Sequence, residues 1–320
     1  MPEKVRVAFG TGAVLGLWDG RMEVKPTTAH LLTYHEGRCA ANCKFCPQAS
    51  ESSADINMLS RVLWPPYQTE KVISSFGKNE DSFSRVCIQA VNCPNVADDI
   101  RRLVENVKKS CGLPISVSCQ PMTRKEMEGL ASLGVDRICV PLDAATPDVF
   151  KRVKGGYSWE KHMDTLNAAR DVFGFRVTTH LIVGLGESER EMVQTIGMLD
   201  KLGVTTALFA FTPIKGTLLS ESERPDIDSY RRIQLARYLM LKQLGKLEDM
   251  KFEGEKLVDF GVDETIIQNA VESGEPFMTS GCSGCNRPFY NESPRGPIFN
   301  YPRKPTKKEI EEIKSSLALG

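Results

Sequence analysis

The stretch CAANCKFCPQ (residues 39–48) sets Cys39, Cys43 and Cys46 within eight residues and ends them on Pro47. A tetrahedral zinc site takes a fourth ligand, commonly from a second CxxC or a closely spaced histidine pair. Neither follows within the next forty residues. Three thiolates on a short loop instead suit three irons of a cubane 4Fe-4S cluster, leaving the fourth iron open to another molecule.

The sequence on either side predicts the scaffold that carries this loop. AHLLTYHEG (29–37) leads directly into it, and SRVCIQAV (84–91), PISVSCQ (114–120), DRICVPL (136–142), FRVTTHLIVGL (175–185) and TTALFAF (205–211) follow. These β-branched runs alternate with charged stretches of helical period such as ADDIRRLVENVKKS and RKEMEGLASLG, the pattern of parallel strands joined by helical crossovers. The expected fold is α/β, a partial or complete parallel (β/α) barrel with its active groups at the C-terminal ends of the strands. The boundaries read as an N-terminal extension over 1–28, the barrel over 29–245 and a cysteine-containing C-terminal extension over 246–320. There is no internal repeat and no low-complexity linker.

Composition excludes several function classes. The chain of 320 residues carries 41 Lys and Arg against 41 Asp and Glu, a formal net charge of zero, so no whole-molecule field draws it to nucleic acid or an anionic membrane. No apolar run approaches the roughly 20 residues of a membrane span, and MPEKVRVAFG lacks the apolar centre of a secretory signal. A cytoplasmic location is expected, where ten cysteines stay reduced and serve metals or the core.

The spacing Cys39-x3-Cys43-x2-Cys46, with Phe45 before the last cysteine, resembles the signature of the radical S-adenosylmethionine (SAM) enzymes. That resemblance implies that the open iron is chelated by SAM. Reductive cleavage of SAM then yields a 5'-deoxyadenosyl radical that abstracts hydrogen from substrate, with a low-potential electron donor as partner. PLDAATPDVF and IVGLGESE resemble SAM-holding segments of biotin synthase and its relatives. They imply that Asp143 takes the ribose hydroxyls and that Gly184 and Gly186 let backbone approach the adenine; taken alone, Asp143 reads equally well as a helix N-cap or a turn residue. The glycine-rich, acidic stretch of the family after the second strand is replaced here by QAVNCPN.

Further cysteines point to a second centre. Cys87 and Cys119 resemble positions where biotin synthase carries ligands of an auxiliary cluster, while Thr178 or Thr179 stands where the next such cysteine would fall. TSGCSGCNRPFYNE supplies Cys282 and Cys285, completing four. Alternation in 85–89 puts Arg85, Cys87 and Gln89 on one face. A zinc knuckle built on Cys282 and Cys285 stays open, since spacing alone does not separate zinc from iron. Cys93 and Cys139 are reserve ligands, Ser280 and Ser283 oxygen reserves, and Cys111 core or surface.

Most narrowly, PTTAHLLTYHEGRCAANCKFCPQA, SWEKHMDTLNAARDVFG, FAFTPIKGT, YRRIQLARYLM and SGCSGCNRPFYNESPRGPIFNYPR resemble one subunit of the two-component, chiefly archaeal lipoyl synthases, over about residues 20–305. This implies a sulfurtransferase acting on an octanoyl-lysyl carrier, either a lipoyl domain or a glycine-cleavage protein. It would work with a paralogous radical SAM subunit, a second iron-sulfur cluster supplying the sulfur. Phe209, Phe211 and Phe289 are candidates to line an acyl channel. Alternatives are a biotin-synthase-like or other radical SAM reaction, and a metal-stabilised scaffold without catalysis.

Overall fold

Runs rich in Val, Ile and Thr form strands because branched side chains pack well on a pleated surface, and here they build the frame of the molecule. The computed structural model describes residues 2–318. Its strands are β1 (Lys4–Val7), β2 (Thr28–Thr33), β3 (Asn42–Cys43), β4 (Met58–Leu59), β5 (Val62–Leu63), β6 (Pro66–Gln68), β7 (Arg85–Gln89), β8 (Ile115–Ser118), β9 (Arg137–Cys139), β10 (Lys154–Gly155), β11 (Val177–Val183) and β12 (Thr205–Ala210). Eight of them form one sheet in the order β12-β11-β9-β8-β7-β2-β1-β6. From β2 to β12 every neighbouring pair is parallel. β1 adds antiparallel to β2, and β6 to β1. The six expected strands are therefore the six parallel ones, and of the partial or complete α/β barrel expected the structure is the partial one.

The helices relevant to the site are α1 (Phe9–Val14), α2 (Thr69–Asn79), α3 (Val96–Ser110), α4 (Arg124–Ser132), α5 (Pro147–Val153), α6 (Trp159–Phe173), α7 (Glu189–Lys201) and α8 (Ile227–Leu241). Their starts are written in the sequence: Thr123 with Glu126 and Ser188 with Glu191 close capping boxes, and Ser158 caps α6. Val86, Ile88, Val117, Ile138 and Leu181 pack under the helices in one apolar core. The opposite face of the same strands carries His30, Cys87, Ser116, Cys139, Thr178 and His180, all lining a central cavity. No helix among the described residues is long and apolar enough to cross a membrane.

The sheet ends at β12 on one edge and at β6 on the other, and residues 280–292 run as a strap between β12 and the segments around Thr27 and Ser60. On one side the Leu208 amide donates to Ser280 Oγ at 2.9 Å and Thr212 Oγ1 donates to the Asn291 carbonyl at 2.6 Å. On the other side the Thr27 amide donates to Asn286 Oδ1 at 2.9 Å and Ser60 Oγ to the Tyr290 carbonyl at 2.8 Å. Arg61 donates to the carbonyls of Phe289 and Glu292 at 3.1 and 2.6 Å. Arg287 and Phe289 both hold positive φ, 32° and 58°, so the strap has no regular secondary structure and depends on these anchors.

Replacing Arg61 with Met keeps the aliphatic stem but removes both donors to the strap. Each lost bond to a partly buried carbonyl costs about 1–3 kcal/mol. Hydrogen exchange is expected to speed up over 284–292 while amides of β7 and β8 keep their protection.

Candidate active site

The loop with Cys39, Cys43 and Cys46 follows β2, and its shape comes from its own backbone. The Cys46 amide donates to the Cys43 carbonyl at 2.9 Å, and the Cys39 amide to the Gln48 carbonyl at 2.9 Å. The loop is fastened from outside by β10, whose Lys154 and Gly155 pair with Cys43 and Asn42 of β3. The Ala40 amide donates to the Asn92 carbonyl at 2.7 Å, so QAVNCPN acts here as a brace for the cysteine loop. Phe45 and Cys46 face the central cavity, and the Coulombic influence of Cys39 and Cys46 on Cys43 shows that the three thiols share one neighbourhood. Burial pushes the Cys46 thiol up to about 12 and that of Cys43 higher still. Metal binding there must displace protons.

Asp143 stands between β9 and β11, where its amide donates to the His180 carbonyl at 2.7 Å and its carbonyl accepts from Ile182 at 2.8 Å. It is not a helix N-cap; that place belongs to Thr146, which receives the Val149 amide at the start of α5. Its φ of 66° is unusual for a residue with a side chain and marks a backbone held in place for the carboxylate it presents to the cavity. Lys154 Nζ lies 2.9 Å from Asp143 Oδ2, with the lysine side chain fully buried. The same ammonium donates to the Pro141 carbonyl at 2.5 Å and approaches Gln120 Oε1 and His162 Nε2 at 3.4 Å each. Sequence reading missed Lys154, Gln120 and His162, because a lysine beside a short helix looks solvated until β10 turns it inward.

Gly184 and Gly186 hold φ of 100° and 106° after β11. A Cβ on Gly184 would meet Pro225 at 2.9 Å, and the positive φ at both positions strains any residue with a side chain, so the backbone conformation calls for glycine at each. Glu187 accepts the amides of Gly184 and Leu185 at 2.7 and 3.1 Å, and burial lifts its carboxyl to about 7.

The cavity measures about 180 Å³. Cys46 and Asp143 contribute from the C-terminal ends of the strands, whereas Cys87, Cys282 and Cys285 contribute deeper, beside Ser116. Phe209 and Phe211 are in the wall, while Phe289 is not among the lining residues. Arg287 stacks on Phe209 at 3.8 Å from the ring centroid. His30 and His180 are neutral, since burial lowers them to about 3 and about 4.

Of the remaining cysteines, Cys119 lies apart from the central cavity. It lines a smaller pocket of about 90 Å³ with Met122 and Glu126, on the helix side of the sheet. β8 ends at Ser118, so the next residue points away from Ser116 and Ser118. Cys139, a reserve ligand in the sequence reading, lines the central cavity instead. Cys93 is buried near Cys39, and Cys111 packs into the core. Ser280 lines the cavity, whereas Ser283 is exposed. Among the described residues no three His, Cys, Asp or Glu side chains close around one point as the ligands of a single ion would.

The profile described as the Radical SAM superfamily matches residues 33–199. Biotin synthase of Paramagnetospirillum magneticum is 26% identical over 226 residues, 68% of this chain and 67% of that one. Biotin synthase of Yersinia pestis is 28% identical over 218 residues, 66% of this chain and 61% of that one. The match thus spans roughly two thirds of these relatives. Among solved structures, methylornithine synthase superposes with a TM-score of 0.51 at 16% identity, covering 82% of this chain and 84% of that one. The FeFe-hydrogenase maturase HydG from Carboxydothermus hydrogenoformans gives 0.52 at 16% identity, covering 64% and 49%. At such identities the two structures share the fold.

Replacing Lys154 with Met strands the buried Asp143 carboxylate, and breaking a buried pair in this way costs about 3–5 kcal/mol. Urea unfolding is expected to show that loss, and Lys154→Met combined with Asp143→Asn is expected to recover most of it. An unchanged midpoint in the single variant would mean that the pair does not hold the loop.

Proposed function

The chain belongs to the radical SAM superfamily, and from that premise we propose that it inserts sulfur into the octanoyl chain of an octanoyl-lysyl carrier protein, in the making of lipoyl groups. The observation that carries this reading is a second group of thiols, Cys87, Cys282 and Cys285, facing the same cavity as Cys46 and Asp143. One thiol group suits radical generation. A second in the same chamber is what sulfur insertion would require.

When bound, a 4Fe-4S cluster with SAM supplies one-electron reductive cleavage and a radical able to take hydrogen from an unactivated C–H bond. Cys39, Cys43 and Cys46 suit three irons of that cluster, since one loop carries all three. Asp143, preset by Lys154 and by its backbone bonds to β11, suits the ribose hydroxyls with the carboxylate oxygen that the lysine does not take. The glycine loop after β11 offers close backbone approach. Ile182, Phe209 and Phe211 make an apolar wall that suits an alkyl chain and excludes water. Carbons 6 and 8 of an octanoyl chain carry no acidic proton, so no general base in this site could activate them. Hydrogen abstraction followed by capture at sulfur is the coherent route, and a second iron-sulfur cluster at the deeper thiols would supply that sulfur.

The same reading includes a paralogous radical SAM subunit and a low-potential electron donor as partners, because lipoyl formation needs two sulfurs and a consumed cluster suits part of that task. Similarity to biotin synthases favours dethiobiotin as the second reading. Thr178 and Thr179 on the fifth parallel strand, with the Cys282 and Cys285 pair on the strap, argue for the octanoyl substrate instead.

Mass spectrometry of an octanoyl-lysyl peptide, after anaerobic incubation with reconstituted protein, SAM and reductant, tests the reading. One sulfur gained by this chain alone, or two with its partner, is expected. Sulfur gained only by dethiobiotin, or SAM cleavage without thiolation of either compound, would overturn it. Changing Cys39, Cys43 and Cys46 together to Ala is expected to abolish 5'-deoxyadenosine formation. Asp143→Asn is expected to raise the SAM requirement roughly tenfold, as loss of a charge-assisted hydrogen bond does.

A further inference from the structure

The second thiol group needs a fourth member, and the sheet register indicates which cysteine it is. In a parallel sheet, residues paired across neighbouring strands point to the same face. His30 pairs with Cys87 and Cys87 with Ser116, giving one inward row. Gln89 pairs with Ser118, Ser118 with Cys139, and Cys139 with Thr178, giving the next inward row. Cys119 lies one residue beyond Ser118 and therefore belongs to the outward face, among apolar side chains under α3 and α4.

The strap brings its two cysteines to these rows. Cys282 Sγ lies 3.7 Å from Ser116 Oγ, and Cys285 Sγ lies 3.9 Å from His30 Nε2. Cys87, Cys139, Cys282 and Cys285 all line the central cavity, so the four thiols form one neighbourhood. Ser118 and Thr178 hydroxyls flank the Cys139 thiol. His30 is 1% exposed and lines the cavity, with its Nε2 toward Cys285. Four thiols and an imidazole form a soft donor set, suited to an iron-sulfur cluster or to zinc.

Resting on the sulfur-insertion reading above, we propose that the second centre is an iron-sulfur cluster held by Cys87, Cys139, Cys282 and Cys285, with Cys139 as its fourth thiolate and Cys119 a core residue. Two ligands come from the barrel wall and two from the strap, so the centre is complete only when the strap is seated. His30 then acts as a positioning residue beside Cys285.

The test uses the full chain with Cys39, Cys43 and Cys46 changed to Ala, so that only the second centre can hold iron. After anaerobic reconstitution this parent is expected to bind about four irons and to give one cubane signal in Mössbauer and EPR spectra. Adding Cys119→Ser should leave both unchanged. Adding Cys139→Ser should lower the iron content or shift the spectrum, with circular dichroism confirming the fold. His30→Ala should keep the iron and change the EPR line shape. A Cys139→Ser variant with the parent's iron and spectrum, or loss of iron on Cys119→Ser, would overturn the ligand assignment while sparing the sulfur-insertion reading. A parent that binds zinc, or no metal, would overturn both.

Discussion

Six parallel strands do not close a barrel, and everything at the centre of this protein depends on how the open edge of the sheet is met. Barrel closure ties strand number, tilt and stagger together. A sheet that stops short leaves an edge with unpaired backbone groups. On one side β1 and β6 extend the sheet antiparallel from β2. On the other side the free edge of β12 meets the strap, where Ser280 takes the Leu208 amide. The strap that satisfies this edge also delivers Cys282 and Cys285 to the interior. Closure of the fold and assembly of the inner thiol group are thus one event.

The upper end of the chamber obeys a different constraint, the cost of buried charge. Lys154 lies fully inside the protein, which is tolerable only because Asp143, the Pro141 carbonyl and Gln120 surround its ammonium. Through its backbone the same residue pairs with Cys43. The cysteine loop and the carboxylate beside it therefore share one anchor. A shift of either would be felt by the other.

The sequence made the parallel strands legible because their β-branched runs are separated by well-capped helices, and it put Cys87 on the cavity face because β7 keeps strict alternation over five residues. It put Cys119 in the ligand set and kept Cys139 in reserve, whereas the folded chain lines the cavity with Cys139 and turns Cys119 to the other side. That choice turns on β8 ending at Ser118 and on the lateral register of β9, neither of which leaves a mark in composition. Lys154 was hidden for a similar reason: its burial arises from a two-residue strand pairing with a loop more than a hundred positions away. The strap was recognised as a ligand-bearing tail, while its role at the sheet edge depends on contacts with β12 and the segments around Thr27 and Ser60 that only the folded chain brings together.

The central claim is that two metal centres face one chamber from opposite ends. Crystals grown anaerobically from the reconstituted chain and measured at the iron absorption edge test it most directly. Two anomalous clusters are predicted, one at the loop after β2 and one between β7, β9 and the strap, with the cavity between them. A single cluster at the loop, or second metal density outside the chamber beside Cys119, would contradict the account.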